Sequence, residues 1–304
     1  MHGITGVLLI SISLIAAACS PAKEPEKAAP PKIDPEKPVW SATDGIDTPE
    51  SVYLDSGSGF LFVSNIVGMA NVKDGKGHIS KLMPDGKVVE PMWVTGLNAP
   101  KGLRSHAGTL YVTDIDEVVA IDIASGKIRS HVKVKGAQFL NDLDCDSDGT
   151  VYVTDMTASK IYAIKNGKAS VFAEGDDIEY PNGLLVEGDH LVVGGWGKPA
   201  DDFTTKVPGR LFKIDLKTKK KTAITADPFA NIDGLESDGK SGYIITDWSA
   251  GKVMQVSAEG MVHPVAQFGQ GTADIYYVAA SHLLLIPHMR DNKISEYDLS
   301  DALK

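Results

Sequence analysis

The chain has 304 residues, 43% of them hydrophobic, which is enough for a substantial core, and a formal charge of −10. That acidity, with no stripe of Lys or Arg, excludes a nucleic-acid footprint. There are two cysteines, Cys19 and Cys145; once Cys19 is assigned to the N-terminal segment below, no internal disulfide is available and stability must come from packing.

Residues 4–18 are apolar or small, too short a run to span a bilayer, and 1–18 reads as a secretory signal. The small residues Ala16-Ala17-Ala18 leading to Cys19 resemble a bacterial lipobox, which implies lipidation of Cys19. Residues 20–38 hold six prolines with Lys23, Lys27, Lys32 and Lys37 balanced by Glu24, Glu26, Asp34 and Glu36. Such a segment cannot bury a core and makes a semi-extended tether. The expected organisation is therefore a signal at 1–18, a lipidated Cys and tether at 19–38, and a folded domain at 39–304. The expected location is the bacterial cell envelope, on the outer-membrane or periplasmic side, with the membrane reached through Cys19. The expected state is a monomer.

The folded part is built on an internal repeat. Six short segments fall into register at Pro49-Glu50, Pro100-Lys101, Leu140-Asn141, Pro181-Asn182, Ile232-Asp233 and Ala273-Asp274. Each has a partner further along: Val63-Ser64-Asn65, Val112-Thr113-Asp114, Val153-Thr154-Asp155, Val193-Gly194-Gly195, Ile245-Thr246-Asp247 and Ile286-Pro287-His288. A repeat near 40 residues, rich in β-branched and aromatic runs punctuated by Gly, Asn and Asp, predicts an all-β, six-bladed propeller with four strands per blade. The last repeat runs out of chain for its outer strand. Val39–Ala42, which precede the first repeat, are expected to supply it and close the ring. Cys145 falls at an inward strand position and reads as a buried thiol.

Antiparallel order puts the start of a blade's first strand and the end of its second on one face. Two insertions follow second strands, Asn65–Lys76 in repeat one and Gly195–Pro208 in repeat four. In a six-fold ring these blades are opposed, so two long loops should face each other across the channel mouth. They carry Ile66, Val67 and Met69 on one side and Trp196 and Phe203 on the other, with Met156, Trp248 and Met289 from other blades. Apolar walls above a few convergent polar groups describe a small-molecule site.

The polar groups are the anchors themselves: Glu50, Lys101, Asn141, Asn182, Asp233 and Asp274. Carboxylate and amide oxygens without Cys or His suit a hard cation such as Ca²⁺. A water-filled channel with Lys101 salt-bridged to Glu50 is the plainer alternative. Asp114, Asp155 and Asp247 read as turn-makers. Asp144, Asp146, Asp148 and Gly149 mimic an EF-hand loop, but strands rather than helices are expected on both sides.

Glu50, Asn141, Asn182 and Asp233, with the local words Asn141-Asp142, Pro181-Asn182-Gly183-Leu184 and Asp233-Gly234-Leu235, resemble the regucalcin–gluconolactonase family, to which diisopropyl fluorophosphatase and the paraoxonases are related. The resemblance covers about residues 40–300. It implies a lactone- or ester-directed hydrolase with Ca²⁺ or another divalent cation held by Glu50, Asn182 and Asp233, and with Asn141 completing the shell or contacting substrate. Asp233 is then the first candidate base, followed by Asp274 and His288. Trp196 and Trp248 are candidate substrate walls. Lys101 departs from the pattern and is expected either to position an anionic substrate or to replace the metal. A non-catalytic propeller that binds a ligand or partner is the competing reading.

Overall fold

The computed structural model describes residues 1–3 and 33–303. Nearly all of the signal segment, Cys19 and most of the tether lie outside the described residues.

Among the described residues, six four-stranded antiparallel sheets are arranged as the blades of a propeller. The first strands of blades one to five are Pro49–Asp55, Pro100–His106, Leu140–Cys145, Pro181–Glu187 and Ile232–Ser237, so each anchor word opens a blade. The second strands end on Asn65, Asp114, Asp155, Gly195 and Asp247, and these residues pair with the first residue of the first strand of the same blade. The core consists of clusters of buried aliphatic and aromatic residues, such as Val52, Leu61, Leu82 and Leu285 at the junction of blades six and one.

Blade six is closed as expected. Trp40–Ala42 pairs antiparallel with the strand Lys293–Asp298, placing Trp40 opposite Glu296 and Ala42 opposite Ile294. This covers what would otherwise be an open edge on the last blade. The ordered part starts earlier than Val39, however. The Ile33 amide donates to the Val265 carbonyl at 3.1 Å, and the Tyr297 hydroxyl donates to the Pro35 carbonyl at 2.9 Å. The stretch assigned to the tether therefore docks against the outer blades before it enters the sheet, because Ile33 adds an apolar side chain to the cluster around Val265.

Two local devices position the channel. The first is a β-bulge just after the opening residue of blades one to five, between Pro49 and Ser51, Pro100 and Leu103, Leu140 and Leu143, Pro181 and Leu184, and Ile232 and Leu235. Glu50, Lys101, Asn141, Asn182 and Asp233 all lie within these bulges. A bulged residue leaves the ladder and its side chain is re-aimed, here toward the axis. The residue after the anchor has little room: a Cβ on Gly183 would stand 2.4 Å from the Asp233 carbonyl, and one on Gly234 2.6 Å from the Ile275 amide.

The second device is a hydroxyl one strand out. Thr154 Oγ1 accepts from the Asp142 amide at 3.0 Å within its own blade and donates to the Asn182 carbonyl of the next at 2.8 Å. Thr246 does the same between the Gly234 amide and the Ala273 carbonyl, and Thr113 donates to the Asn141 carbonyl. The bulged amides of Asp142 and Gly234 are thus satisfied within their own blades, and the carbonyls of Asn141, Asn182 and Ala273 from the neighbouring one.

The aspartates that end the second strands act as expected. Asp114 accepts from the Asn98 and Ala99 amides, and Asp155 from those of Gln138, Phe139 and Ala158. The EF-hand-like stretch is a hairpin between Leu140–Cys145 and Val151–Asp155, with Asp146 holding the turn amides of Asp148 and Thr150. Cys145 is half-buried against the core of blade three rather than fully enclosed, and burial pushes its thiol pKa up.

Candidate functional site

A pocket of about 260 Å³ opens on the face where first strands begin. Five anchors form its floor: Glu50, Lys101, Asn141, Asn182 and Asp233. All five are buried, none more than 5% exposed. Ile66 and Ala70 from the first long loop, Trp196, Asp202 and Phe203 from the second, and Phe139, Met156, Trp248, Met289 and Arg290 make the walls. The two long loops meet over the mouth: Ala70 packs against the cluster of Phe139, Met156 and Trp196, which Phe203 and Trp248 also join. The Trp196 and Trp248 rings are 5.9 Å apart, and Trp196 Nε1 donates to the Phe203 carbonyl at 3.1 Å. Met69, expected on this wall, instead projects outward at 67% exposure.

The sixth anchor does not join the floor. The Asp274 amide donates to the Glu50 carbonyl at 2.9 Å, tying the opening of blade six to blade one. Its carboxylate turns down the channel, where Oδ2 accepts from Ser51 Oγ at 2.6 Å and faces Arg104 Nη1 at 3.6 Å. Arg104 also donates to Glu236 Oε1 at 3.0 Å. Arg104 and Glu236 lie three residues beyond the anchors Lys101 and Asp233, at the next inward-facing level of the strands. Asp274 thus lies in a lower tier with them and does not line the pocket, although its Oδ1 is buried without a partner and its charge reaches Glu50 and Asp233.

His288 is also outside. Its ring packs edge-on against Phe268, with centroids 5.2 Å apart, and near Tyr297 at 6.3 Å. Burial lowers its pKa to about 4, so it is neutral near pH 7. It packs within blade six, at the position the aspartates fill elsewhere, with Nε2 buried and unpartnered. Asp233 remains on the floor.

Electrostatically the floor carboxyls have no cation in contact, and Lys101 offsets only part of their burial. Burial first, then repulsion from Asp233 and Asp274, raises the pKa of Glu50 well above the carboxylate range. Burial and Asp274 do the same to Asp233, partly offset by Asn182 Nδ2, which donates to Asp233 Oδ1 at 2.8 Å. Glu50 Oε2 and Asn182 Oδ1 are both buried and without a hydrogen-bond partner. Unpartnered buried acceptors of this kind are rare and costly. Two hard oxygens lacking donors, beside two carboxyls whose charge is suppressed by burial, fit a hard divalent cation. Among the described residues no three His, Cys, Asp or Glu side chains cluster as a metal site; the floor set instead pairs two carboxyls with two amides.

Lys101 is not salt-bridged to Glu50. Its ammonium donates to the Ala99 carbonyl at 2.9 Å and lies over the Phe139 ring, 4.4 Å from the centroid. Burial lowers its pKa to about 8, although Glu50 and Asp114 pull the other way. It therefore sits to one side of the carboxyls rather than between them. Phe139, Asp202 and Arg290 are lining residues that the anchor reading missed. Phe139 stands two residues before Asn141, as Ala99 does before Lys101, so the same repeat register held the signal. Asp202 and Arg290 lie outside the repeated words and carried none.

Fold and site together define a six-bladed propeller with an oxygen-rich pocket at one end of its channel. The SMP-30/Gluconolactonase/LRE-like region matches residues 48–273, and the chain belongs to this family. Among solved structures it is similar to a gluconolactonase from Xanthomonas campestris, with a TM-score of 0.64, 15% identity, and 85% of this chain and 87% of that one covered. It is also similar to a virginiamycin B lyase from Staphylococcus aureus, with a TM-score of 0.57, 14% identity, and 83% and 95% covered. At these identities the likeness shows the fold. No curated protein matches the chain.

Proposed function

We propose that the protein is a divalent-metal-dependent hydrolase of lactones or related esters. The observation that carries this reading is the convergence of Glu50, Asn141, Asn182 and Asp233 on one pocket floor, with Glu50 Oε2 and Asn182 Oδ1 buried and partnerless. Family membership supports it. Glu50, Asn182 and Asp233 would hold the cation, with Asn141 beside them. Such a cation, when bound, supplies Lewis-acid polarisation of the ester carbonyl and lowers the pKa of water. Asp233 would accept the proton of the attacking water as its oxygen bonds to the acyl carbon, and return that proton to the leaving oxygen as the acyl–oxygen bond breaks, giving acid and alcohol. The aromatic walls exclude bulk water and hold the ring of the substrate. The test is hydrolysis of gluconolactone and an aryl ester by the full-length protein, with EDTA and then with excess Ca²⁺. Turnover that EDTA abolishes and Ca²⁺ restores supports the reading. No turnover of any lactone or ester in either condition leaves a ligand-binding propeller.

We also infer a lipid anchor at Cys19 and a cell-envelope location, from the small residues before Cys19 and the proline-rich stretch after it. Metabolic labelling with a fatty-acid probe should mark the wild type and not Cys19→Ser; an unlabelled wild type overturns it.

A further inference from the structure

The floor of the pocket holds a carboxyl and an ammonium, Glu50 and Lys101, that feel each other but make no salt bridge. Glu50 Oε2 has no hydrogen-bond partner. Lys101, 1% exposed, uses one donor on the Ala99 carbonyl, rests on the face of Phe139, and makes no salt bridge among the described residues. An ammonium buried without a contact anion is costly, and a carbonyl and an aromatic face compensate only part of the lost hydration. The two N–H donors left over belong to a group on the pocket surface.

The charge count points the same way. Asp274 has turned down to Ser51 and Arg104, so the floor sets two carboxyls, Glu50 and Asp233, against one ammonium. A divalent cation on those carboxyls would leave the floor with one net positive charge, and Asp202 and Arg290 on the wall offset each other. A neutral sugar lactone would leave Lys101 unpaired in the closed pocket; a monoanion would not.

We propose that Lys101 is an anion-binding specificity residue and that the physiological substrate carries a carboxylate beside its lactone or ester. This deepens, and rests on, the hydrolase reading of the same pocket. The carboxylate would accept from Lys101 Nζ above Phe139, while the carbonyl to be cleaved faces Glu50, Asn182 and Asp233. Lys101 touches the substrate and takes no part in the bond changes. Neither of its other possible roles fits as well: Ala99 and Phe139 hold it beside the carboxyls, so it does not stand where a metal would.

The experiment measures binding, so it does not depend on turnover. Tetrahydrofuran-2-carboxylate and tetrahydrofurfuryl alcohol share one ring and differ in charge, and neither can be hydrolysed. With excess Ca²⁺, the carboxylate should raise the melting temperature of the wild type and bind at least about tenfold more tightly than the alcohol by calorimetry, as expected for a charge-assisted hydrogen bond. Lys101→Met should erase that difference. Lys101→Gln, which can keep the bond to the Ala99 carbonyl, guards against a folding defect and should erase it too. Equal binding of the two probes to the wild type, or a preference that survives both substitutions, overturns the proposal. The hydrolase reading fails separately, if the wild type binds the carboxylate through Lys101 but turns over no lactone or ester with added metal.

Discussion

Asn182 donates its amide nitrogen to Asp233 Oδ1 at 2.8 Å and is thereby fixed with its own oxygen buried and free. That contact joins blades four and five and presents an acceptor to the pocket, an arrangement that a bound cation would complete. A ligand that binds the folded state alone stabilises it by about 2.7 kcal/mol at a hundredfold excess over its dissociation constant. Ca²⁺ should therefore raise the melting temperature of the wild type and EDTA should lower it. Asp233→Asn removes a ligand charge while keeping the shape, and should lose most of the response. An Asp233→Asn protein that responds to Ca²⁺ as fully as the wild type would remove Asp233 from the metal set.

Thr154 offers a test of how the scaffold holds that pair. Its hydroxyl accepts from the bulged Asp142 amide and donates to the carbonyl of Asn182. Thr154→Val keeps the volume and β-branching but leaves a buried N–H and C=O unmet, at about 1–3 kcal/mol. Denaturant unfolding should show that loss. Ca²⁺ affinity, read by calorimetry, should fall as well, because the Asn182 backbone is no longer pinned. Val at a strand position on the outer surface, as in Ser130→Val, should do neither.

Much of this was legible in the sequence because the repeat is strict where the physics is strict. A word that begins a strand, bulges and ends a loop must recur in every blade, so Glu50, Lys101, Asn141, Asn182 and Asp233 could be aligned without a structure. The closing strand followed from counting strands, since the last repeat was one strand short of the four in every other blade. Asp274 was misplaced because blade six departs from the pattern: its pairing strand starts only at Tyr276, and its anchor instead bridges to Ser51 of blade one. His288 was misread because a histidine at a strand end can face either channel or core, and period-two patterning does not decide which. The plainer alternative, Lys101 salt-bridged to Glu50, fails because the aromatic face that holds the lysine comes from the neighbouring blade, which no single repeat reveals.

The lower tier should contribute to the pH dependence of stability, alongside the floor carboxyls Glu50 and Asp233. Arg104 is surrounded by Glu236, Asp274, Asp142 and Asp144, more carboxyls than one guanidinium can neutralise, and burial lifts Glu236 to about 8. A carboxyl whose folded pKa is raised keeps its proton in the folded state while the unfolded chain has lost it. Stability contributed by Glu236 is therefore fully present below about pH 4.5 and falls as pH rises toward about 8. Unfolding free energies measured by urea across that window should decline with pH in the wild type. Glu236→Gln should flatten the decline, and an unchanged slope would assign the effect to other groups.

The last prediction concerns closure and where the folded part begins. Ser41 Oγ lies 2.8 Å from Ser295 Oγ, the Val39 amide donates to the Glu296 carbonyl at 2.7 Å, and Trp40 packs so tightly over the turn of blade one that a Cβ on Gly86 would stand 2.3 Å from its ring. The strand therefore seals blade six and also clips it to blade one. Upstream, Ile33 and Pro35 add two backbone contacts of their own. Three truncations should separate these contributions. Removing residues 20–32 should leave the melting temperature nearly unchanged. Removing 20–38 should lower it modestly, through loss of the contacts to Val265 and Tyr297. Removing 20–42 should lower it far more, because the strand Lys293–Asp298 then becomes an open edge with unpaired N–H and C=O groups, and the protein should also aggregate at concentrations where the others stay dispersed. Equal melting of the second and third variants would show that the ring holds without its closing strand.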